Sequence, residues 1–185
     1  VEEAGKLGLS AAVLRWQGDK PVNGVQERAR QARYDLLIGW CVTNGAGALV
    51  TAHSLEDQAE TFLMRLARGS GVDGLSAMRP QREDRIAILR PLLSVSRARL
   101  RGTLVAAGVR WLEDPANRDP RFERVRWRST LARLEQEGLA PAMIALSARR
   151  LERASQALEH ATSRLEAEVV EQDDKQASFR LAAVQ

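Results

Sequence analysis

Apolar positions recur along this chain in two periods. From Val25 to Val42 the positions Ala29, Ala32, Leu36, Leu37, Trp40 and Cys41 return at helical spacing, and Asn44-Gly45-Ala46-Gly47 supplies the stop. Leu55 to Leu66 predicts a second amphipathic helix. Two short apolar runs are of strand type: Ala11 to Trp16, read as a buried strand, and Ala48 to Ala52. Residues 1–9 read as a helix end closed by Gly8, and Gly18 to Gly24 carry turn chemistry. Strand, helix, strand, helix with short connections is the grammar of a parallel sheet, whose neighbouring strands need a crossover.

Further along, Arg68-Gly69-Ser70-Gly71-Val72-Asp73-Gly74 is a glycine-rich exit from the second helix. Arg85 to Leu93 predicts another strand, ending around Arg90-Pro91, and Ser96 to Ala107 another helix stopped by Gly108. Trp111 to Arg121 is a turn-rich loop with Asp114-Pro115 and Asp119-Pro120. Residues 122–172 are nearly all helix formers, interrupted around Gly138 and Pro141, and Ser178 to Val184 reads as a final strand. The shift in composition predicts a boundary near 132–140, with one domain over 1–134 and a helical linker and the start of a C-terminal domain over 135–185.

Composition narrows the function classes. With 185 residues, 44% hydrophobic and 28% charged, the chain has the balance of a globular protein with a core. No apolar stretch approaches the roughly 18 residues of a membrane helix. The acidic start, Val1-Glu2-Glu3-Ala4, lacks the basic region of a signal peptide, so the expectation is a cytoplasmic protein. A single cysteine, Cys41, excludes intramolecular disulfides and CxxC motifs, and two histidines, His53 and His160, leave little for a metal site. Of 28 cationic residues only Lys6, Lys20 and Lys175 are lysine. Arginine offers planar bidentate donors to phosphate, which points toward a nucleotide or nucleic-acid partner.

Chemistry concentrates in Thr51-Ala52-His53-Ser54-Leu55-Glu56-Asp57-Gln58-Ala59-Glu60-Thr61, where a strand ends and a helix begins. That edge is where open α/β sheets bind ligands. Asp57 and Glu60 lie three apart, so both carboxylates project from one helical face and suit an ammonium group. The same residues also fit a capping box, with Ser54 as N-cap, Asp57 at the third helical position and Glu60 solvated; the two roles are compatible. His53 reads either as a polar site group or as a loop-satisfied histidine. Arg30 and Arg33, one turn apart, suit either a shared phosphate or local pairing with Glu27 and Asp35. Arg68 to Gly71 reads as an anion-binding turn or as a helix C-cap, and is not a Walker A loop. Arg124, Arg126 and Arg128, interleaved with Val125 and Trp127, suit a nucleic-acid backbone or a salt-bridged surface beside Glu113, Asp114, Asp119 and Glu123.

Taken together, these segments resemble the tRNA(Ile)-lysidine synthetase family of PP-loop ATP-pyrophosphatases, from about residue 5 to about 133. The resemblance is carried in order by Arg30-Gln31-Ala32-Arg33-Tyr34, the Thr51–Thr61 run and Arg68 through Ser76. Arg90-Pro91-Leu92-Leu93, Trp111-Leu112-Glu113-Asp114-Pro115-Ala116-Asn117 and the Arg124/Arg126/Arg128 cluster follow. The chain departs from the family at Ser54, where a second histidine is usual, and at Glu56, Val125 and Ala132. The Ser-Gly-Gly-x-Asp-Ser loop occurs nowhere in it. The expectation is that this loop and its strand precede Val1, making the chain an internal piece.

The resemblance implies a Rossmann-like parallel sheet of the adenine nucleotide alpha hydrolase-like type, with helices on both faces and a mostly helical C-terminal segment. It implies an ATP-dependent ligase that adenylates the wobble cytidine of a CAU anticodon and then joins lysine to it, forming lysidine. Arg33 would be catalytic, and Asp57 and Glu60 would bind lysine. His53, Arg68 and Gly69 would be nucleotide-site candidates, and Arg124, Arg126 and Arg128 would bind tRNA. ATP, Mg2+, L-lysine and tRNA(Ile) are the implied cofactors and partners, with no protein metal site and room for a homodimer. Two alternatives remain: another PP-loop tRNA-modifying enzyme, though one with catalytic or cluster-binding cysteines does not fit a chain with only Cys41, or a non-catalytic tRNA-binding fragment.

Overall fold

The computed structural model describes residues 2–18, 25–172 and 177–179, which fall into two compact units. The first comprises residues 1–51 and 81–90, the second 52–80 and 91–185.

In the first unit, α1 (Glu2–Lys6) and α2 (Val25–Thr43) precede β1 (Ala48–Val50), β2 (Gln81–Arg82) and β3 (Ala87–Leu89). The sheet order is β1-β3-β2: β1 runs parallel to β3, with Leu49 opposite Ile88, and β2 is antiparallel to β3. Thr51 N–H donates to the Leu89 carbonyl at 2.9 Å and carries the parallel ladder one step further. The core is Ile38 and Cys41 of α2 against Leu49 and Ile88, flanked by Tyr34, Leu37, Ala46 and Ile86. Tyr34, Leu37, Ile38 and Cys41 form an i, i+3, i+4, i+7 stripe, which aims one face of α2 at that core. Gly45 closes the helix with φ +68°, while Ala46 N–H returns to the Cys41 carbonyl, a left-handed stop that needs no Cβ.

Two strand expectations are corrected here. Ala11–Trp16 is not a buried strand: residues 9–17 carry no regular secondary structure, and Val13 is 68% exposed. An extended run becomes a strand only with a hydrogen-bonding neighbour, and no described strand pairs with this one. Its alternate residues Ser10, Ala12, Leu14 and Trp16 instead line a cavity with α2. The strand expected over Arg85–Leu93 is only Ala87–Leu89, because Leu92 and Leu93 lie in a turn after Pro91 that Val95 N–H closes onto the Leu92 carbonyl. The turn expected at Gly18–Gly24 lies mostly outside the described residues.

The second unit is helical. It contains α3 (Leu55–Leu66), α4 (Val72–Leu75), α5 (Arg97–Ala106), a 3-10 turn (Pro115–Arg118), α6 (Glu123–Gln136) and α7 (Pro141–Val169). A hairpin of β4 (Val170–Gln172) and β5 (Ala177–Phe179) follows, so the long last helix stops at residue 169. Of the final strand expected over Ser178–Val184, only Ser178 and Phe179 lie within the described residues. Ala59 and Leu63 of α3 pack with Leu131 of α6 and Ile144 of α7, with Phe62, Trp127 and Leu134 around them. α7 also packs on α4, where Arg79 bonds Asp73 and Glu159 and Ser155 donates to Asp73.

The segment after α3 is tied down through backbone acceptors. Gln58 exchanges two hydrogen bonds with the Met78 backbone, at 2.9 and 3.0 Å. Arg65 Nη1 donates to the carbonyls of Gly74 and Ala77 at 2.7 and 2.8 Å. These clamps hold Ala77 in the left-handed region, at φ 57°.

Candidate functional site

The capping box expected at the start of α3 is present. Ser54 is extended, its Oγ accepts from Asp57 N–H, and Asp57 Oδ2 accepts from Ser54 N–H at 2.8 Å and from Ser54 Oγ at 2.9 Å. The reciprocal bonds satisfy donors that a helix start leaves orphaned.

Glu60, three residues on, departs from the capping picture. It is fully buried rather than solvated. Its Oε1 accepts from Arg97 Nη1 at 2.9 Å and from Arg128 Nε at 3.1 Å. Arg97 Nη2 also donates to Asp57 Oδ1, so one guanidinium bridges both carboxylates. Such charge-assisted pairing is what makes a buried carboxylate tolerable. Glu60 Oε2 is buried and has no hydrogen-bond partner in the structure.

Arg97 is a site residue that the sequence pattern alone did not single out. It opens α5 behind its N-cap Ser96, where the helix macrodipole disfavours a cation. Three acidic side chains compensate: Asp57, Glu60 and also Glu56, whose two carboxylate oxygens accept Arg97 N–H at 3.0 and 2.9 Å. An arginine at the first position of a helix was therefore the available signal, since it makes sense only beside carboxylates. Burial alone raises the Asp57 carboxyl, but the Ser54 backbone N–H and the Arg97 charge outweigh it and hold that carboxyl below its ordinary range. Burial likewise works against the Arg97 cation, and the charges of Asp57 and Glu60 overcome it.

Arg124, Arg126 and Arg128 of α6 do not act as one surface. Arg126 Nη1 turns back to the carbonyls of Pro120 and Arg121, at 3.0 and 3.1 Å. Arg128 reaches inward to Glu60 and its Nη1 touches the Asn117 carbonyl at 3.4 Å. Arg124 lies on the same helix and is half-buried. The flanking acids have partners of their own: Glu123 binds Arg68 at 2.7 Å, Asp119 binds Arg121, Glu113 binds Arg101, and Asp114 caps the 3-10 turn.

At the exit of α3, Gly69 takes φ +69° and its N–H bonds the Leu66 carbonyl, while Ser70 N–H bonds the Arg65 carbonyl. The C-cap reading therefore describes this turn, with Arg68 exposed and held by Glu123. His53 is half-buried between Ala52 and the N-cap.

The first unit holds the remaining candidate, Arg33. It lines an open, largely apolar cavity of about 640 Å³ together with Ala29, Leu36 and Trp40 of α2 and Leu14 and Trp16 of the extended segment. The Arg30 guanidinium, one turn before it, lies over the Tyr34 ring at 5.2 Å. Gln31 rather than an arginine binds Asp35.

Residues 2–135 match the family model of the PP-loop domain. Among curated proteins, the chain is 50% identical over 157 residues to a tRNA(Ile)-lysidine synthase of Bradyrhizobium sp., covering 84% of this chain and 44% of that protein. It is 49% identical over 156 residues to the tRNA(Ile)-lysidine synthase of a Methylobacterium species, with 84% and 45% covered. The synthase of that name from Rhodopseudomonas palustris is 48% identical over 157 residues, again with 84% and 45% covered. The chain thus spans under half the length of these relatives.

Proposed function

This chain belongs to the PP-loop domain family, and on that premise we propose that it is part of an ATP-dependent ligase that forms lysidine on tRNA(Ile). In this reading the C2 oxygen of the wobble cytidine in a CAU anticodon is adenylated and pyrophosphate leaves. The ε-amino group of lysine then attacks C2 and AMP departs. The observation that carries the reading is the Thr51–Thr61 run, within the stretch shared with the lysidine synthases, which sets Glu60 and Asp57 side by side on α3.

Each residue has a role that its chemistry suits. Asp57 and Glu60 receive the lysine ammonium, a charge-assisted contact that a neutral side chain would not replace. Arg33 is the cation that stabilises charge developing at the adenylated base. His53, Arg68 and Gly69 are the nucleotide-site candidates, and Arg68 reaches a phosphate by exchanging Glu123 for it. Arg124, Arg126 and Arg128 are assigned to tRNA, with Arg128 shared between tRNA and Glu60. Among the described residues no group of three or more His, Cys, Asp or Glu side chains could hold a metal ion. Mg2+ would enter with ATP, carried mainly by the nucleotide's phosphates.

The parallel β1–β3 pair supports a Rossmann-like sheet of the adenine nucleotide alpha hydrolase-like type with helices on both faces, and we assign that domain to residues 1–134 and the helical segment to 135–185. No described helix is long and apolar enough to cross a membrane, and we place the protein in the cytoplasm. A homodimer is compatible with this reading.

The test uses the complete protein with ATP, labelled lysine and tRNA(Ile) transcripts carrying CAU. The expected result is pyrophosphate release followed by lysine incorporation, both abolished when the wobble cytidine is replaced by uridine. Lysine incorporation that ignores that replacement would overturn the reading.

A further inference from the structure

We propose that Arg97 is a positioning residue of the ammonium site, holding Glu60 through one oxygen so that the other remains as the acceptor for the ligand. The inference rests on the reading of Asp57 and Glu60 as the carboxylates that receive a primary ammonium.

The oxygens can be accounted for one by one. Asp57 Oδ2 is taken by Ser54 N–H and Oγ, and Asp57 Oδ1 by Arg97 Nη2. Glu60 Oε1 is taken by Arg97 Nη1 and Arg128 Nε. Of these four oxygens, only Glu60 Oε2 is buried without a hydrogen-bond partner. A buried carboxylate oxygen with no donor is costly, and such an atom calls for an explanation. A primary ammonium, with three donors and one charge, supplies what it lacks.

The side chains of Arg97 and Arg128 are 29% and 38% exposed, whereas that of Glu60 is wholly buried. Arg97 fixes the geometry because its planar fork spans two carboxylates at once, which a lysine at that position could not do.

A structural role for Arg97 is separable, because its tie to α3 through the backbone is independent of its guanidinium. Glu56 receives the Arg97 N–H, and that bond does not use the guanidinium, so it is available in Arg97→Gln and Arg97→Lys alike. The variants Arg97→Gln, Arg97→Lys, Glu60→Gln and Glu56→Gln are made in the complete protein. Lysine KM is measured alongside tRNA-dependent pyrophosphate release, which reads the step before lysine enters.

Arg97→Gln is expected to raise lysine KM by about tenfold or more while leaving pyrophosphate release within about twofold. Arg97→Lys should fall between Arg97→Gln and the parent, and serves as the readout if Arg97→Gln does not fold. Glu56→Gln should leave lysine KM within about twofold. A normal lysine KM in both Arg97 variants, with Glu60→Gln impaired, would overturn the role of Arg97 alone. Equal rises in Arg97→Gln and Glu56→Gln would reduce Arg97 to a helix tether. A normal lysine KM in Glu60→Gln would overturn the ammonium reading itself, and this inference with it.

Discussion

Glu60 and Arg128, 68 positions apart, meet at 3.1 Å, and the meeting joins a buried carboxylate of α3 to a helix whose arginines are assigned to tRNA. Arg128 cannot give its Nε donor to Glu60 and to a phosphate at once. The arginines of α6 should therefore contribute unequally.

Arg124→Gln is expected to weaken tRNA binding, for cognate and non-cognate tRNA alike, with stability within about 0.5 kcal/mol of the parent. Arg128→Gln should also destabilise the fold, by about 1–3 kcal/mol, because Glu60 loses one of its two charged donors. Replacing Arg124, Arg126 and Arg128 together should lower the salt-dependence slope by about one unit for each phosphate no longer neutralised. With Arg128 engaged at Glu60, that sum is nearer two than three. Filter binding across a salt series, with urea melts of the same variants, separates the two effects.

The N-terminus of α3 offers a cleaner stability test. Ser54 is 2% exposed, accepts Asp57 N–H and donates to Asp57 Oδ2. Ser54→Ala removes both bonds and is expected to cost about 0.5–2 kcal/mol, read as a lower urea midpoint at unchanged slope. Ser54→Asp should restore little, since its charge would face the Asp57 carboxylate.

How far these features could be read beforehand depends on how local their causes are. The cap of α3 and the glycine stops at Gly45, Gly69 and Gly108 follow from neighbours within a few residues, and the sequence pattern identifies them. The burial of Glu60 does not, because its two donors come from α5 and α6, 37 and 68 residues away. Periodicity places a carboxylate on a helical face without saying what covers that face. Ala11–Trp16 misled for a related reason: apolar content marks a run as buried or extended, while strand pairing depends on a neighbour.

Gly69 tests whether the turn after α3 is set by its backbone. At φ +69°, with no heavy atom within 4 Å of where a Cβ would stand, Gly69→Ala meets conformational strain and no clash. The expected loss is about 1–2 kcal/mol, and Gly69→Asn should lose less because asparagine tolerates the left-handed region. Gly74→Ala should be worse than its helical setting suggests, since its Cβ would come within 2.6 Å of Ser70 Cβ. Thermal melts of the three variants rank these costs.

Acid should act on this unit through Asp57. Its carboxyl lies below the ordinary value of 3.8 in the folded protein, opposed by burial but held there by the Ser54 N–H and the Arg97 charge. A group depressed on folding contributes stability that is fully present above its unfolded value and disappears as pH falls through the folded one. Stability from Asp57 is therefore intact at neutral pH, begins to fall as pH drops toward 3.8, and is gone once the folded group is protonated. Asp57→Asn keeps the shape and removes the charge, so at pH 7 it should cost about 1.5–3 kcal/mol, the range for hydrogen bonds to a charged group. Below pH 3.8 the difference between the parent and Asp57→Asn should shrink, because both then carry a neutral side chain facing Arg97. Urea midpoints of the two proteins between about pH 7 and about pH 3 measure that convergence. A gap that stays constant over the whole range would show that the Asp57 charge contributes no stability and that its cap bonds act through shape alone.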